Sequence, residues 1–296
     1  MRLCLKVDVD TLRGTREGVP ALQRLFDRRG IRATFLFSLG PDNTGRALRR
    51  VFRPGFFGKV QRTSVVSHYG IRTLLYGTLL PGPNIGRKAR AEMRAVAQAG
   101  HELGVHAWDH VRWQDFVARR DIDWARHELH AALAGFQQVF DRPARTCGAA
   151  GWQVNDSVPA LEQAAGLDYA SDCRGNGPFR PVGAEQCPQL PTTLPTLDEL
   201  IGVDGCDESN VHTRLLKATE TGPDEAHVFT LHAELEGMKL MPVFERLLDG
   251  WQAQGYELCA TEDLFHSLDP AALPLGRIQA GSLPGRSGEL ALQAEA

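Results

Sequence analysis

Apolar and polar positions along the chain switch repeatedly between two periods. Residues 2–9 form a nearly continuous apolar run that ends on Asp8 and Asp10, which predicts a strand buried on both faces. Residues 17–29 set Val19, Leu22, Leu25 and Phe26 on one helical face, with Gly30 as the stop. Residues 33–39 return to a strand pattern. The same alternation resumes with a helix at 87–98, a strand at 102–105 running into His106, and a long helix opened by Asp123 and reaching Phe140. It continues with a strand at 145–149, a helix at 158–165 and a strand at 167–171. A proline-rich extended stretch at 189–200 precedes a helix at 211–219, a strand at 227–231, a helix at 243–254, a strand at 256–259 and a helix at 262–268. Strands separated by helices predict a parallel α/β fold in one domain, residues 1–270. Residues 271–296 are rich in Ala, Gly, Pro and Ser and read as a C-terminal tail.

One stretch breaks the pattern. From 43 to 91 there is no Asp or Glu, while Arg46, Arg49, Arg50, Arg53, Lys59, Arg62, Arg72, Arg87, Lys88 and Arg90 alternate with apolar residues that include Phe56 and Phe57. Such a segment suits an anionic lipid surface, with Arg49, Arg50, Arg53, Lys59 and Arg62 meeting head groups and Phe56 and Phe57 entering the interface. A core insertion is the second reading and a nucleic-acid backbone the third. A net charge of −3 speaks against a nucleic-acid-binding polycation. The start of the chain meets Lys6 and Asp8 before a signal sequence could form, and no apolar run is long enough to span a membrane. The six scattered cysteines, with no C-x-x-C spacing, read as reduced thiols in the cytoplasm.

The chemistry gathers where predicted strands end. Asp8 and Asp10, two apart in an extended chain, point to one side, although Asp10 could instead cap the turn before Thr11. His106 and His110 are four apart; if the chain turns helical after Val105 they share one face and can converge on a metal ion. Such pairs also arise by chance. Asp172 and Arg174 follow another strand, and His232 ends a third. In a parallel barrel all these ends meet on one face, where catalysis sits.

The set resembles the polysaccharide deacetylase family (NodB-homology, carbohydrate esterase 4). That resemblance implies a distorted (β/α)-barrel of about seven parallel strands. It implies Asp8 as base, Asp10, His106 and His110 as ligands of a divalent metal, and His232 as acid with Asp172 orienting it. Zinc is the default, and Mn²⁺, Co²⁺ or Ni²⁺ also suit two nitrogens and a carboxylate. The family's third motif normally carries an arginine that braces the base; Cys147 to Trp152 lacks it, and Arg174 is the expected substitute. The stretches Asp8–Pro20, Gly40–Asn43, His106–His110, Ala149–Trp152 and Ser171–Gly175 further resemble a deformylase branch of Gram-negative bacteria. That branch implies an undecaprenyl-phosphate-linked 4-deoxy-4-formamido-L-arabinose as substrate, a role in lipid A modification and polymyxin resistance, and a peripheral position on the cytoplasmic side of the inner membrane. An N-acetyl sugar deacetylase and an inactive membrane-binding scaffold are the alternatives; metal content separates the scaffold from the enzymes.

Overall fold

A computed structural model describes residues 1–47, 70–221, 226–286 and 288–296. Seven strands run parallel in one sheet: β1 (Arg2–Val9), β2 (Thr34–Ser38), β3 (Glu102–Ala107), β4 (Thr146–Cys147), β5 (Tyr169–Ala170), β7 (Ala226–His232) and β8 (Glu257–Cys259). The order is β5-β4-β3-β2-β1-β7, with β8 also on β1. Residues 189–194 close the gap between β5 and β7: Leu190 N donates to Ala170 O, and Thr193 N donates to Val228 O. The result is the expected distorted barrel, completed on one side by irregular chain.

Alternation on β1 explains how a fully buried strand carries acids. Leu3, Leu5, Val7 and Val9 face outward into the main core, against the helices Val19–Arg29 and Met241–Ala253. The other parity, Lys6 and Asp8, faces the barrel interior, where both are buried. β3 follows the same rule: Leu103 and Val105 join the outer core, and Glu102, Gly104 and His106 take the opposite face. The interior floor is polar but bonded. Glu102 accepts from Thr34 Oγ1, the Tyr169 hydroxyl and Glu262 N. Burial still pushes the Glu102 carboxyl up.

Three boundaries differ from the periodicity. The segment before the first helix is a wide turn over Gly14–Gly18, so the α-helix starts at Val19. Asp121, not Asp123, caps the long helix Ile122–Phe140, accepting from Trp124 N. His106 and His110 do not share a helix: His106 lies in β3, and His110 opens the helix His110–Phe116 behind the N-cap Asp109.

The residues read as a tail are structured. β9 (Leu275–Gly281) and β10 (Leu290–Glu295) form an antiparallel pair, and β6 (Arg180–Pro181) adds to β9. Composition hid this because only Leu290 and Ala291 of β10 are buried. The anchoring is largely backbone: Arg174 N donates to Ala291 O at 2.9 Å and Gln293 N to Arg174 O at 2.8 Å. Residues 271–296 also carry Arg286, which pairs with the buried Glu199 at 3.0 Å. Deleting 271–296 is therefore expected to lower Tm by about 3 °C or more, the effect of losing roughly 2 kcal/mol in a chain of this size. An unchanged melting curve would show the hairpin to be an appendage.

Candidate active site

Asp8 on β1 is the register partner of His232 on β7, so their side chains lie beside each other inside the barrel. Two residues on, the chain leaves β1 and Asp10 reaches toward β3. His106 Nε2 lies 3.3 Å from Asp10 Oδ1, and His110 Nε2 lies 3.4 Å from Asp10 Oδ2. The two imidazole centroids are 5.2 Å apart. His106 Nδ1 is 2.8 Å from the Gly148 carbonyl oxygen. A carbonyl only accepts, so Nδ1 carries a hydrogen and donates. In the neutral ring Nε2 then turns its lone pair on a carboxylate oxygen, and two acceptors at that distance repel unless a proton or a cation sits between them. Asp10 Oδ1 is buried and has no hydrogen-bond partner among the described residues.

The donor set fits a divalent metal. Asp10, His106 and His110 each offer one ligand atom, all within 4.8 Å of one another. Two imidazole nitrogens and one carboxylate oxygen suit Zn²⁺ and its first-row neighbours, and Gly148 supplies the outer hydrogen bond that orients a ligating histidine. The electrostatics agree. Burial alone would raise the Asp10 carboxyl, but His110 and His106 outweigh it and hold Asp10 well below the usual carboxylate range. Burial would likewise lower His106, yet Asp8 and Asp10 raise it.

The acids after His232 hold the loops. Glu234 Oε1 accepts from Asp10 N at 3.1 Å and from Thr11 N and Thr11 Oγ1 at 2.8 Å. Glu236 Oε2 accepts from His232 N at 2.7 Å. Burial pushes Glu234 up to about 8 and Glu236 up to about 7. The close approach needs glycine: a Cβ at Gly14 would fall 2.0 Å from Glu234 Oε1, and one at Gly18 would fall 2.0 Å from Ala233 O. Asp42 accepts from Leu12 N at 2.9 Å, and Asn43 donates to Asp109, the N-cap before His110, at 2.6 Å. The Gly40–Asn43 stretch thus ties the Asp10 loop to the His110 helix.

Two expected positions are corrected. Asp172 does not reach His232. Its oxygens accept from Ala149 N at 2.8 Å and Gln189 Nε2 at 2.6 Å, and it groups with Cys147 and Glu162 behind the site. Burial, and then the Asp172 charge, push the Glu162 carboxyl well up. Arg174 does not brace Asp8. Its Nη1 donates to both oxygens of Glu199 at 2.7 and 2.9 Å, and its guanidinium stacks 5.1 Å over Trp152.

Sequence reasoning missed the residues that fill those places. Asp198 is the acid that faces His232: burial would lower the imidazole, but Asp198, then Asp10, Glu236 and Asp8, raise it to about 9. Asp198 sits in the short helix Leu197–Leu200, opened by a Thr196–Glu199 capping box. The T-x-x-E signature was readable there, but its partner across the barrel was not. Lys6 is the buried basic side chain on the Asp8 side. Its Nζ donates to Ser171 O at 3.0 Å and to Ser171 Oγ at 3.1 Å. Burial lowers its pKa while Asp8 and Asp172 oppose the fall. Arg49, Arg50, Arg53, Phe56, Phe57, Lys59 and Arg62 lie outside the described residues. Among the described residues no helix is long and apolar enough to cross a membrane.

Comparison with known proteins agrees with this geometry. The polysaccharide deacetylase family model matches residues 10–170. The chain is 40% identical over 294 residues, 98% of its length and 94% of the relative's, to the probable 4-deoxy-4-formamido-L-arabinose-phosphoundecaprenol deformylase ArnD of Shewanella sediminis. It is 33% identical to the protein of the same name from Wigglesworthia glossinidia brevipalpis, over 95% of this chain and 98% of that one. Among solved structures, a polysaccharide deacetylase from Mycobacterium smegmatis superimposes with a TM-score of 0.63 at 14% identity, over 95% of each chain. One from Pseudomonas aeruginosa PAO1 gives 0.61 at 14% identity, over 90% of this chain and 89% of that one. These two establish the fold. The chain belongs to the polysaccharide deacetylase family, and it is an amide hydrolase.

Proposed function

We propose that this protein hydrolyses the formamide of undecaprenyl-phosphate 4-deoxy-4-formamido-L-arabinose, releasing formate and the free amine for lipid A modification and polymyxin resistance. The observation that carries the reading is the set of Asp8, Asp10 and His106, buried, with His110 and His232, half-buried, gathered at the ends of β1, β3 and β7. The names of the near full-length relatives supply the substrate. Work at the cytoplasmic face of the inner membrane follows from a lipid-linked substrate, with the basic segment 43–91 meeting anionic lipid.

Asp10, His106 and His110 would hold the divalent ion, zinc by default, which when bound polarises the formyl carbonyl and acidifies a water. Asp8, buried with Oδ1 unpartnered among the described residues, takes the proton of the attacking water. The new bond joins that oxygen to the formyl carbon. As the carbon–nitrogen bond breaks, the His232 imidazolium gives its proton to the departing nitrogen. Asp198 keeps that imidazole charged, and the Glu236 bond to His232 N holds the backbone in place.

Mass spectrometry of matched formylated and acetylated lipid substrates tests the reading. Loss of the formyl group alone is expected, whereas removal of acetyl alone would turn the assignment to a deacetylase. In the same preparation, partitioning onto anionic vesicles should weaken when Arg49, Arg50 and Arg53 are neutralised together; unchanged partitioning would remove the lipid role. Asp10→Ala and His106→Ala are expected to lose bound metal and turnover together. Asp8→Asn should keep the metal and lose roughly 10²–10⁴ in kcat; near-normal turnover there would exclude Asp8 as base. Activity needs His232 protonated, so it falls as pH rises through the His232 pKa, about 9 without metal. A cation on Asp10 offsets one of the anions that raise it, so the loaded enzyme's basic limb lies lower. Asp198→Asn removes another anion and should move that limb to lower pH still. A profile identical to wild type would rule out Asp198 as the partner of His232.

A further inference from the structure

Beside the loop that presents Asp10 lies a second cavity, of about 290 Å³, that the reaction above does not use. Its volume is at the lower edge of the roughly 300–1,000 Å³ typical of small-molecule sites. Arg13, Arg16 and Arg72 line it together with Glu17, Gly70 and Tyr76. Among the described lining residues three guanidinium groups meet one carboxylate, and with Glu92 beside Arg16 one positive charge remains in surplus.

The arginines are placed rather than trailing. Arg13 Nε donates to Glu17 Oε2 at 3.1 Å. Arg16 Nη2 donates to Lys88 O at 2.6 Å, and its Nε lies 3.9 Å from Glu92. Their side chains are 29% and 47% exposed, so a ligand can reach both. Gly70 sits at φ 76°, and a Cβ there would fall 3.0 Å from Arg13 Nη1. The guanidinium therefore lies directly against glycine backbone, where any side chain would crowd it. The cavity is also rigidly coupled to the reaction site. Arg13 is three residues after Asp10, and the intervening Thr11 and Leu12 are pinned by Glu234 and Asp42.

We infer that this cavity is the subsite for the phosphate of the sugar phosphate that the enzyme deacylates. Planar guanidinium forks match phosphate oxygens in pairs, and a neutral sugar would have no use for the surplus positive charge. The inference rests on the reading under Proposed function, since a pentose that carries its amide at one ring position and a phosphate at another must place the phosphate about one ring away from the metal centre. It also puts phosphate recognition on Arg13, Arg16 and Arg72 rather than on the arginines of 49–62.

The test compares two soluble substrates, a formamido-pentose carrying a short prenyl phosphate and its phosphate-free methyl glycoside. Their kcat/KM ratio is measured for the full-length, metal-loaded protein and for the double variant Arg13→Gln/Arg72→Gln. The ratio is expected to fall at least tenfold in the variant; an unchanged ratio overturns the proposal. If the double variant does not fold, Arg72→Gln alone, at an exposed position, is held to the same comparison with a smaller fall. If wild type deformylates neither compound, the assigned reaction fails, and calorimetric titration with inorganic phosphate decides the cavity on its own. Binding by wild type that is lost in the variant supports the subsite, and binding equal in both overturns it. Phosphatidylglycerol vesicles supply the last arm. If the substitutions weaken vesicle binding but leave the substrate ratio and phosphate titration untouched, the arginines are a headgroup patch and the subsite is refuted.

Discussion

The burial of Asp10 is the constraint from which most of the site follows. An isolated carboxylate inside a protein costs several kcal/mol unless it is paired and hydrogen-bonded. Here the carboxylate is met by His106 and His110, and its backbone N–H by Glu234. Glu234 can reach that far only because Gly14 leaves room for it, and Gly18 lets the same turn pack on Ala233. The G-T-R-E-G stretch thus makes room for the carboxylate that holds the Asp10 backbone. His106 in turn is held by the Gly148 carbonyl. Removing any of these supports would leave a buried charge unmatched, which is why the loops after β1, β2, β3 and β7 are bonded to one another rather than to solvent.

A similar chain of supports runs to the other reactive residue. Burial would lower the His232 imidazole, and Asp198 is the foremost of the acids that raise it. Asp198 is presented by a single helical turn, too short to hold itself. That turn is fixed from behind by Glu199, which takes two hydrogen bonds from Arg174 and one from Arg286. Both arginines lie over Trp152, at 5.1 and 4.4 Å. Arg286 precedes β10, so the C-terminal hairpin reaches the reaction site through two ion pairs and one aromatic ring.

What was legible in the sequence was whatever a local pattern encodes. The parity of Asp8 against Val7 and Val9, the helical faces and the two histidines all follow from spacing within a few residues. The parallel order followed from the alternation of elements. Asp198, Lys6 and the true place of Asp172 depend on which strand lies across the barrel, and no local period reports that. Lys6 in particular reads as an ordinary polar interruption of an apolar strand. The hairpin at 275–295 was missed for another reason: its hold on the domain is largely through backbone hydrogen bonds and the Arg286 ion pair, with few buried apolar residues to mark it.

The missing arginine of the third motif shows how the interior balances charge. Asp8, Asp10, Asp172 and Glu162 are all buried at this end of the sheet, and anions in such surroundings need cations or protons. His106 and His110 answer for Asp10, and burial with the Asp172 charge pushes the Glu162 carboxyl well up. Asp8 and Asp172 face Lys6, which enters from β1 itself rather than from the loop after β4. A Cβ at Gly148 would come 3.7 Å from Lys6 Nζ, so the ammonium occupies the space beside the same residue whose carbonyl holds His106. Lys6, Asp8 and Asp10 therefore lie within five residues, two on β1 and one just beyond it. Arg174 is instead committed to a buried ion pair with Glu199, the neighbour of Asp198 in the helix that faces His232.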